Sequence, residues 1–164
     1  RDGRLALAGR ADPRLVARWL RDPFIRRRPP KSTGRERYGE PFFRRALADA
    51  TAAGVSGPDL AATLTDYVAA TVAENYRRHL PGLPDEIIIG GGGADNPALM
   101  AALRKVLVGT TRIRRCAEAG WPVKAIEPAA FALLAWCRLR GRPGHLPATT
   151  GARRAVRCGA IWQP

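Results

Sequence analysis

Four consecutive glycines, Gly90–Gly93, lie between the apolar triplet Ile87–Ile89 and the pair Asn96–Pro97 in "EIIIGGGGADNPALMAALRKVL". Main chain without Cβ atoms lets a flat group rest directly against it. Asn96 is placed to cap a helix that starts at Pro97, and the N-terminal amides of that helix would face back toward the glycines. The arrangement suits an adenine or ribose packed on Gly90, Gly91, Gly92 and Gly93, with polar contacts from Asp95 or Asn96. A tight strand-to-helix turn, in which glycine only relieves crowding, fits the same residues. The two common phosphate signatures are absent. A G-x-G-x-x-G fingerprint read from Gly90 puts Asp95 in its last slot, and read from Gly91 it puts Asn96 there. A G-x-x-x-x-G-K loop is excluded because no Gly-Lys pair occurs in the chain.

Other residues of chemical interest are fewer. Glu127 heads "EPAAFALLAW"; its carboxylate could accept hydroxyl hydrogen bonds or position a water, or simply favour the start of a helix. "KSTGRE", Lys31 to Glu36, has the Lys-Ser/Thr-Gly order seen in acyl-transfer enzymes, but no S-x-x-K partner exists. A structural loop is the plainer reading. Cys116, Cys137 and Cys158 form no C-x-x-C pair and lie far in sequence from His79 and His145, so zinc spacing is absent. Sparse, odd cysteines fit reduced thiols.

The elements that must position these residues are mostly helical. Asp12 to Leu20 has a short helical pattern with Leu15, Val16 and Leu20 on one side, and the Pro- and Gly-rich stretch "IRRRPPKSTGRERYGEP" follows as a loop. A helix is expected over Pro41–Ala53, closed by Gly54, and a longer one over Ser56–His79 with Pro58 and Asp59 in its first turn. Leu60, Leu64, Val68 and Val72 repeat every four residues as a buried stripe, and Ala61, Ala62, Thr63, Thr65, Ala69 and Ala70 would allow close approach. "PGLP" turns the chain into the Ile87–Ile89 strand; beyond the glycines, Leu99, Met100, Leu103 and Leu107 line a helix face. A weak strand is expected at Arg112–Arg114, a helix over Glu127–Arg140 carrying Phe131, Leu134 and Trp136, and a late strand over Ala155–Ile161. So few strands cannot form the sheet that this much helix would cover. Together with Arg at position 1, that leads to the expectation that part of the fold lies upstream.

The net charge of +14 raises the question of nucleic acid. Among 28 basic residues only Lys31, Lys105 and Lys124 are lysines, a bias that GC-rich coding produces on ordinary surfaces. The densest runs, Arg26–Arg28, Arg112–Arg115 and Arg138–Arg142, have no aromatic residues interleaved as a single-strand binder would want. No nucleic-acid partner is expected; a basic, non-catalytic binding module is the rival reading. The longest apolar run, Ala129–Cys137, falls far short of the ~20 residues of a membrane span, so no membrane partner is expected.

Five strings in order, "PPKSTGRE", "ATLTDYVAATVAE", "DEIIIGGGGADNPALM", "IEPAAFALLAW" and "GHLPATTGA" with "GAIWQP", resemble the C-terminal part of anhydro-N-acetylmuramic acid kinases. The resemblance implies an α/β, helix-rich lobe of the ribonuclease H-like, actin-like ATPase fold, truncated at its N-terminus. Residues 1–40 would end the upstream lobe and form a cross-lobe loop, and residues 41–164 would form the nucleotide-binding lobe. It implies a cytoplasmic enzyme of cell-wall recycling and suggests a homodimer. Such an enzyme uses ATP and water to open 1,6-anhydro-N-acetylmuramic acid and phosphorylate it to N-acetylmuramate 6-phosphate. Gly90, Gly91, Gly92, Gly93, Ala94 and Asn96 would contact adenosine from one element, Thr63 and Thr65 from a neighbouring helix, and Glu127 would face the sugar. Mg2+ would be bound mainly through the upstream lobe. The family's general-base Asp lies in a "DTGPGN"-like segment and its phosphate loop resembles "GxMSGTSxDG"; neither string occurs here, so the chain alone is expected to be inactive. Pro128 and His145 stand where the family usually has Ala and Asn. Another kinase of the actin-like group is the nearest alternative.

Overall fold

The computed structural model describes residues 2–109 and 112–162. Four short helices come first: α1 (Arg4–Leu7), α2 (Pro13–Trp19), α3 (Pro23–Arg26) and α4 (Arg35–Tyr38). Two longer ones follow, α5 (Glu40–Ala52) and α6 (Gly57–His79). A strand β1 (Glu86–Ile89), helix α7 (Pro97–Val106) and strand β2 (Arg112–Arg115) then form a β–α–β crossover. The strands are parallel, with Glu86 opposite Arg112 and Ile89 opposite Arg115. Helices α8 (Ile126–Leu139) and α9 (Pro147–Thr150) complete the described residues. The result is a helix-rich α/β arrangement with a small parallel sheet. No helix among the described residues is long and apolar enough to cross a membrane.

Sequence signals start α2 where expected, but Ser56 makes no capping bond at the head of α6. Helix α4 forms inside the stretch expected to be a loop, where Glu36 in its first turn accepts from Thr33 Oγ1 and Gly34 N. Asp12 accepts from the amides of Arg14 (2.7 Å) and Leu15 (3.3 Å), with Pro13 in the first turn of α2. Two apolar clusters hold the elements. One joins Ile87 and Ile113 of the sheet to Met100, Leu103 and Leu107 at α7 and to Ala69 and Ala73 of α6. The other joins Leu15 and Trp19 of α2 to Ala46 and Ala50 of α5 and to Leu60 and Tyr67 of α6. Its aromatic centre has Trp19 edge-on to Phe42 (5.8 Å) and Tyr67 (5.7 Å), and Phe42 stacked on Tyr67 (5.1 Å). The segment between α3 and α4 is clasped by Asp22, which accepts from Phe24 N (2.9 Å), Arg37 Nη2 (2.6 Å) and Tyr38 Oη (3.1 Å).

Two further expectations are corrected. The buried side of α6 is not the Leu60–Leu64–Val68–Val72 stripe: Val68 is 46% exposed and Leu64 and Val72 are half-buried. The small residues Ala62, Thr63, Ala69 and Ala73 are buried instead, because α1 and α7 approach α6 on that side. A Cβ at Gly9, just after α1, would lie 2.0 Å from the Pro58 carbonyl oxygen, a separation only small residues permit. Residues 155–161 form no strand. Gly159 there has φ +82°, outside extended backbone, and the only sheet among the described residues is β1–β2. Helix α8 forms with Pro128 in its first turn but buries none of its residues; Phe131 is 65% and Leu139 74% exposed.

Candidate functional site

The glycine run begins where β1 ends. Gly91 has φ 72° and ψ −179°, a region that only glycine enters without strain, and residues Gly92–Asp95 make one 3₁₀ turn. Asn96 then caps α7, its Oδ1 accepting from Ala98 N (3.1 Å) and Leu99 N (3.2 Å). Gly90, Gly91 and Gly92 are exposed, while Ala94 is buried beneath the turn.

The four glycines have different reasons to be there. A Cβ on Gly90 would meet Ile126 Cδ1 at 2.4 Å, so Gly90 admits the head of α8. Gly91 is required by its backbone conformation. A Cβ on Gly93 would touch Leu99 at an ordinary 3.4 Å. At Gly92 a Cβ would find nothing within 4 Å, and its φ is not positive. The fold therefore makes no demand for glycine at position 92.

Because β1 and β2 are parallel, Ile89 and Arg115 end side by side, and the glycine turn opens at the carboxyl edge of the sheet, where α/β folds bind ligands. A cleft of about 290 Å³ lies next to it, lined by Asp95, Pro97, Arg104, Arg115 and Glu118 among others. Arg115 Nε donates to Glu118 Oε1 (2.8 Å), and this hydrogen bond holds the Glu118 carboxyl below its ordinary value. Arg104, Arg115 and Glu118 were missed from sequence; the signal was the Arg112–Arg115 strand, whose last residue must share an edge with Gly90 once the two strands pair in parallel.

The other expected site residues divide. Ile126 brings the first turn of α8 against Gly90, so Glu127 belongs to the same corner of the molecule. Its side chain is exposed and makes no ion pair or hydrogen bond among the described residues. Asn96 contributes its oxygen to the cap, and a Cβ on Gly3 would fall 2.1 Å from that atom, so the start of α1 packs over it. Only the Asn96 amide nitrogen remains for other partners. Thr63 is fully buried, its hydroxyl donating to Asp59 O (2.6 Å) and accepting from Asp12 N (3.0 Å). It ties the start of α2 to α6. Thr65 donates to Ala61 O (2.8 Å) and lines a groove with Leu7, Arg10 and Lys105 that includes none of the four glycines. The structure does not bring these threonines to the turn. Thr63→Val, nearly isosteric, should lower unfolding free energy by about 1–3 kcal/mol in urea titration by leaving the Asp12 amide unpaired; an unchanged midpoint would refute the tether.

Among the described residues, no three His, Cys, Asp or Glu side chains converge as a metal centre. The glycine corner offers an open, exposed backbone surface beside a capped helix N-terminus, with Arg104, Arg115, Asp95 and Glu118 in the adjoining cleft.

The sequence profile of the family described as Anhydro-N-acetylmuramic acid kinase matches residues 1–164. A curated relative of that name from Gloeobacter violaceus is 44% identical over 161 residues, which are 98% of this chain and 42% of the relative. Those from Parasynechococcus marenigrum and a Picosynechococcus strain are both 42% identical, covering 100% and 99% of this chain and 43% of each relative. The chain thus spans less than half the length of these relatives. With the family profile running from its first residue to its last, the chain belongs to the anhydro-N-acetylmuramic acid kinase family.

Proposed function

We propose that this chain supplies the adenosine side of an ATP-dependent kinase. The whole enzyme opens the 1,6-anhydro ring of 1,6-anhydro-N-acetylmuramic acid with water and places the γ-phosphoryl group of ATP on O6. The products are N-acetylmuramate 6-phosphate and ADP. The reading is supported by family membership and carried by one observation: Gly92 is exposed, uncrowded and free of positive φ, yet it is glycine. A nucleoside resting on the backbone of Gly91 and Gly92 explains that choice, since any side chain there would occupy its place.

In this reading Gly90–Gly93 and Ala94 form the floor for the base and ribose, and the Asn96 amide offers a donor. Thr63 acts as a positioning residue through its bond to Asp12, and Thr65 is left to its groove. Glu127, across Ile126 from Gly90, faces the sugar, accepting hydroxyl hydrogen bonds or orienting the attacking water. The general base and the phosphate loop belong to segments whose signature strings this chain does not contain. Mg2+ would enter with the ATP phosphates; among the described residues no three His, Cys, Asp or Glu side chains gather to hold it. The two-lobed actin-like architecture, with residues 1–40 reaching toward the other lobe, a cytoplasmic location and a homodimer are parts of the same proposal.

The test is calorimetric titration of ADP into the chain and into Gly92→Leu. The added side chain projects into open space, so the melting temperature should be unchanged while affinity falls at least about tenfold, 1.4 kcal/mol. Equal affinity in both proteins, or no saturable binding by the parent, would remove the turn as the nucleotide site.

A further inference from the structure

We propose that the cavity between the Lys31–Thr33 segment and the outer face of α6 binds a small amphipathic carboxylate. The inference is independent of the glycine turn, because the cavity lies at the aromatic cluster on the other side of the molecule's long helix.

The cavity encloses about 460 Å³, in the range of small-molecule sites. Its apolar wall is formed by Phe24, Phe42, Leu64 and Val68. This is why Leu64 and Val68, spaced as a core stripe, are not in the core: they face a hollow. Such a wall fits a ring or a short acyl chain.

Two donors at the cavity are incompletely paired. Tyr67 lines it and is only 4% exposed, and its buried hydroxyl forms no well-aligned hydrogen bond among the described residues, although the Tyr38 hydroxyl and the Asp22 carboxylate to which Tyr38 donates (3.1 Å) lie near it. An unmatched buried hydroxyl is costly to a fold and calls for a partner. Lys31 is half-buried at the rim. Its ammonium donates to the carbonyls of Phe24 (3.2 Å) and Ile25 (2.9 Å), which leaves the third N–H over. No Asp or Glu lines the cavity, and Lys31 has no ion-pair partner among the described residues. Burial, and secondarily the charge of Arg27, push the Lys31 ammonium below its ordinary value, as expected of a cation without a counter-charge. A carboxylate supplies the counter-charge that the Lys31 ammonium lacks, with its apolar body against the aromatic wall.

The site is also held in place before any ligand arrives. The Asp22 clasp closes the segment at both ends, and Thr33 Oγ1 donates to Glu36 Oε1 (3.3 Å), which also accepts from Gly34 N (2.6 Å). Preorganisation of this kind lowers the cost of binding.

The probe is 2-naphthoate, titrated into nitrogen-15-labelled chain and followed by amide shifts, with neutral 2-naphthylmethanol as the control. Saturable shifts are expected at Ser32, Thr33, Thr71 and Asn75, with at least tenfold weaker binding of the neutral alcohol. Lys31→Met should weaken naphthoate by a similar factor. Should that variant loosen the loop, Val68→Trp provides a second measure: it starts from a surface-accessible position, fills the cavity and should abolish the shifts while leaving the melting temperature unchanged. Equal binding of acid and alcohol, insensitivity to both variants, or shifts confined to the exposed residues of α8 would each overturn the proposal.

Discussion

Trp19→Ala is expected to lower the unfolding free energy by about 3–5 kcal/mol, the range for deleting a buried aromatic side chain. Trp19 is 6% exposed and closes the cluster that ties α2 to α5 and α6. Its ring meets both Phe42 and Tyr67 edge-on, so alanine removes two aromatic contacts as well as buried area. Its indole Nε1–H also donates to Asp49 Oδ2 of α5 (2.9 Å), and Asp49 pairs with Arg18 of α2 (3.0 Å). Against a typical total of about 5–15 kcal/mol, such a loss would leave the chain near its unfolding midpoint in water. Trp19→Phe separates the parts: it keeps a ring and loses the hydrogen bond, for an expected cost of about 1–2 kcal/mol. Urea unfolding followed by far-ultraviolet circular dichroism measures both. A cost under about 1 kcal/mol for the alanine variant would mean that the cluster is not what joins α2 to the rest.

That Trp19 carries this weight was not legible in the pattern Leu15–Val16–Leu20, which pointed to the right helix and to a neighbouring strip of its surface. For α2, α5, α6 and α7 helix existence was readable because it is signalled locally, by Asp12–Pro13, Pro41, Pro58, Asn96–Pro97 and the proline-rich break after His79. The four-residue helices α1, α3, α4 and α9 are too short to show a period. The pairing of Glu86–Ile89 with the weak Arg112–Arg115 segment was readable only as two candidate strands; the parallel register, which places Arg115 beside the glycine turn, depends on α7 crossing between them. Burial was the least legible layer. In α6 the large apolar residues Leu64 and Val68 face a cavity, while Thr63 and three alanines face neighbouring helices, because close approach selects for small size and not for hydrophobicity alone. Helix α8 shows the opposite case: it is rich in apolar residues, and none of them is buried among the described residues. The glycine run could be located from sequence, but its two readings could be separated only after each Cβ position had been compared with its surroundings.

The same comparison makes Glu127 a sharp test. If Glu127 only favours the start of α8 through the helix dipole, Glu127→Gln should cost about 0.3–1 kcal/mol of stability and nothing in activity. If it binds the sugar or orients the water, stability should barely change, since the side chain is exposed and unpaired among the described residues, while turnover should fall. The measurement uses a hybrid in which these 164 residues replace the matching part of the 44%-identical Gloeobacter violaceus relative. Phosphorylated sugar is then assayed with ATP, magnesium and 1,6-anhydro-N-acetylmuramic acid. The 164-residue chain alone serves as the blank and is expected to form no product, having neither the Asp-Thr-Gly segment nor the phosphate loop. The Glu127→Gln hybrid is expected to lose about 10²–10⁴-fold in kcat, the usual contribution of a positioned acid–base group, with a melting temperature within a degree or two of the parent. Glu127→Asp, which keeps the charge but retracts it by one methylene, should recover only part of the rate, because orientation as well as charge is lost. Full activity in the Gln hybrid would return Glu127 to the dipole alone, and measurable turnover by the isolated chain would place the base among residues to which no catalytic role is given above.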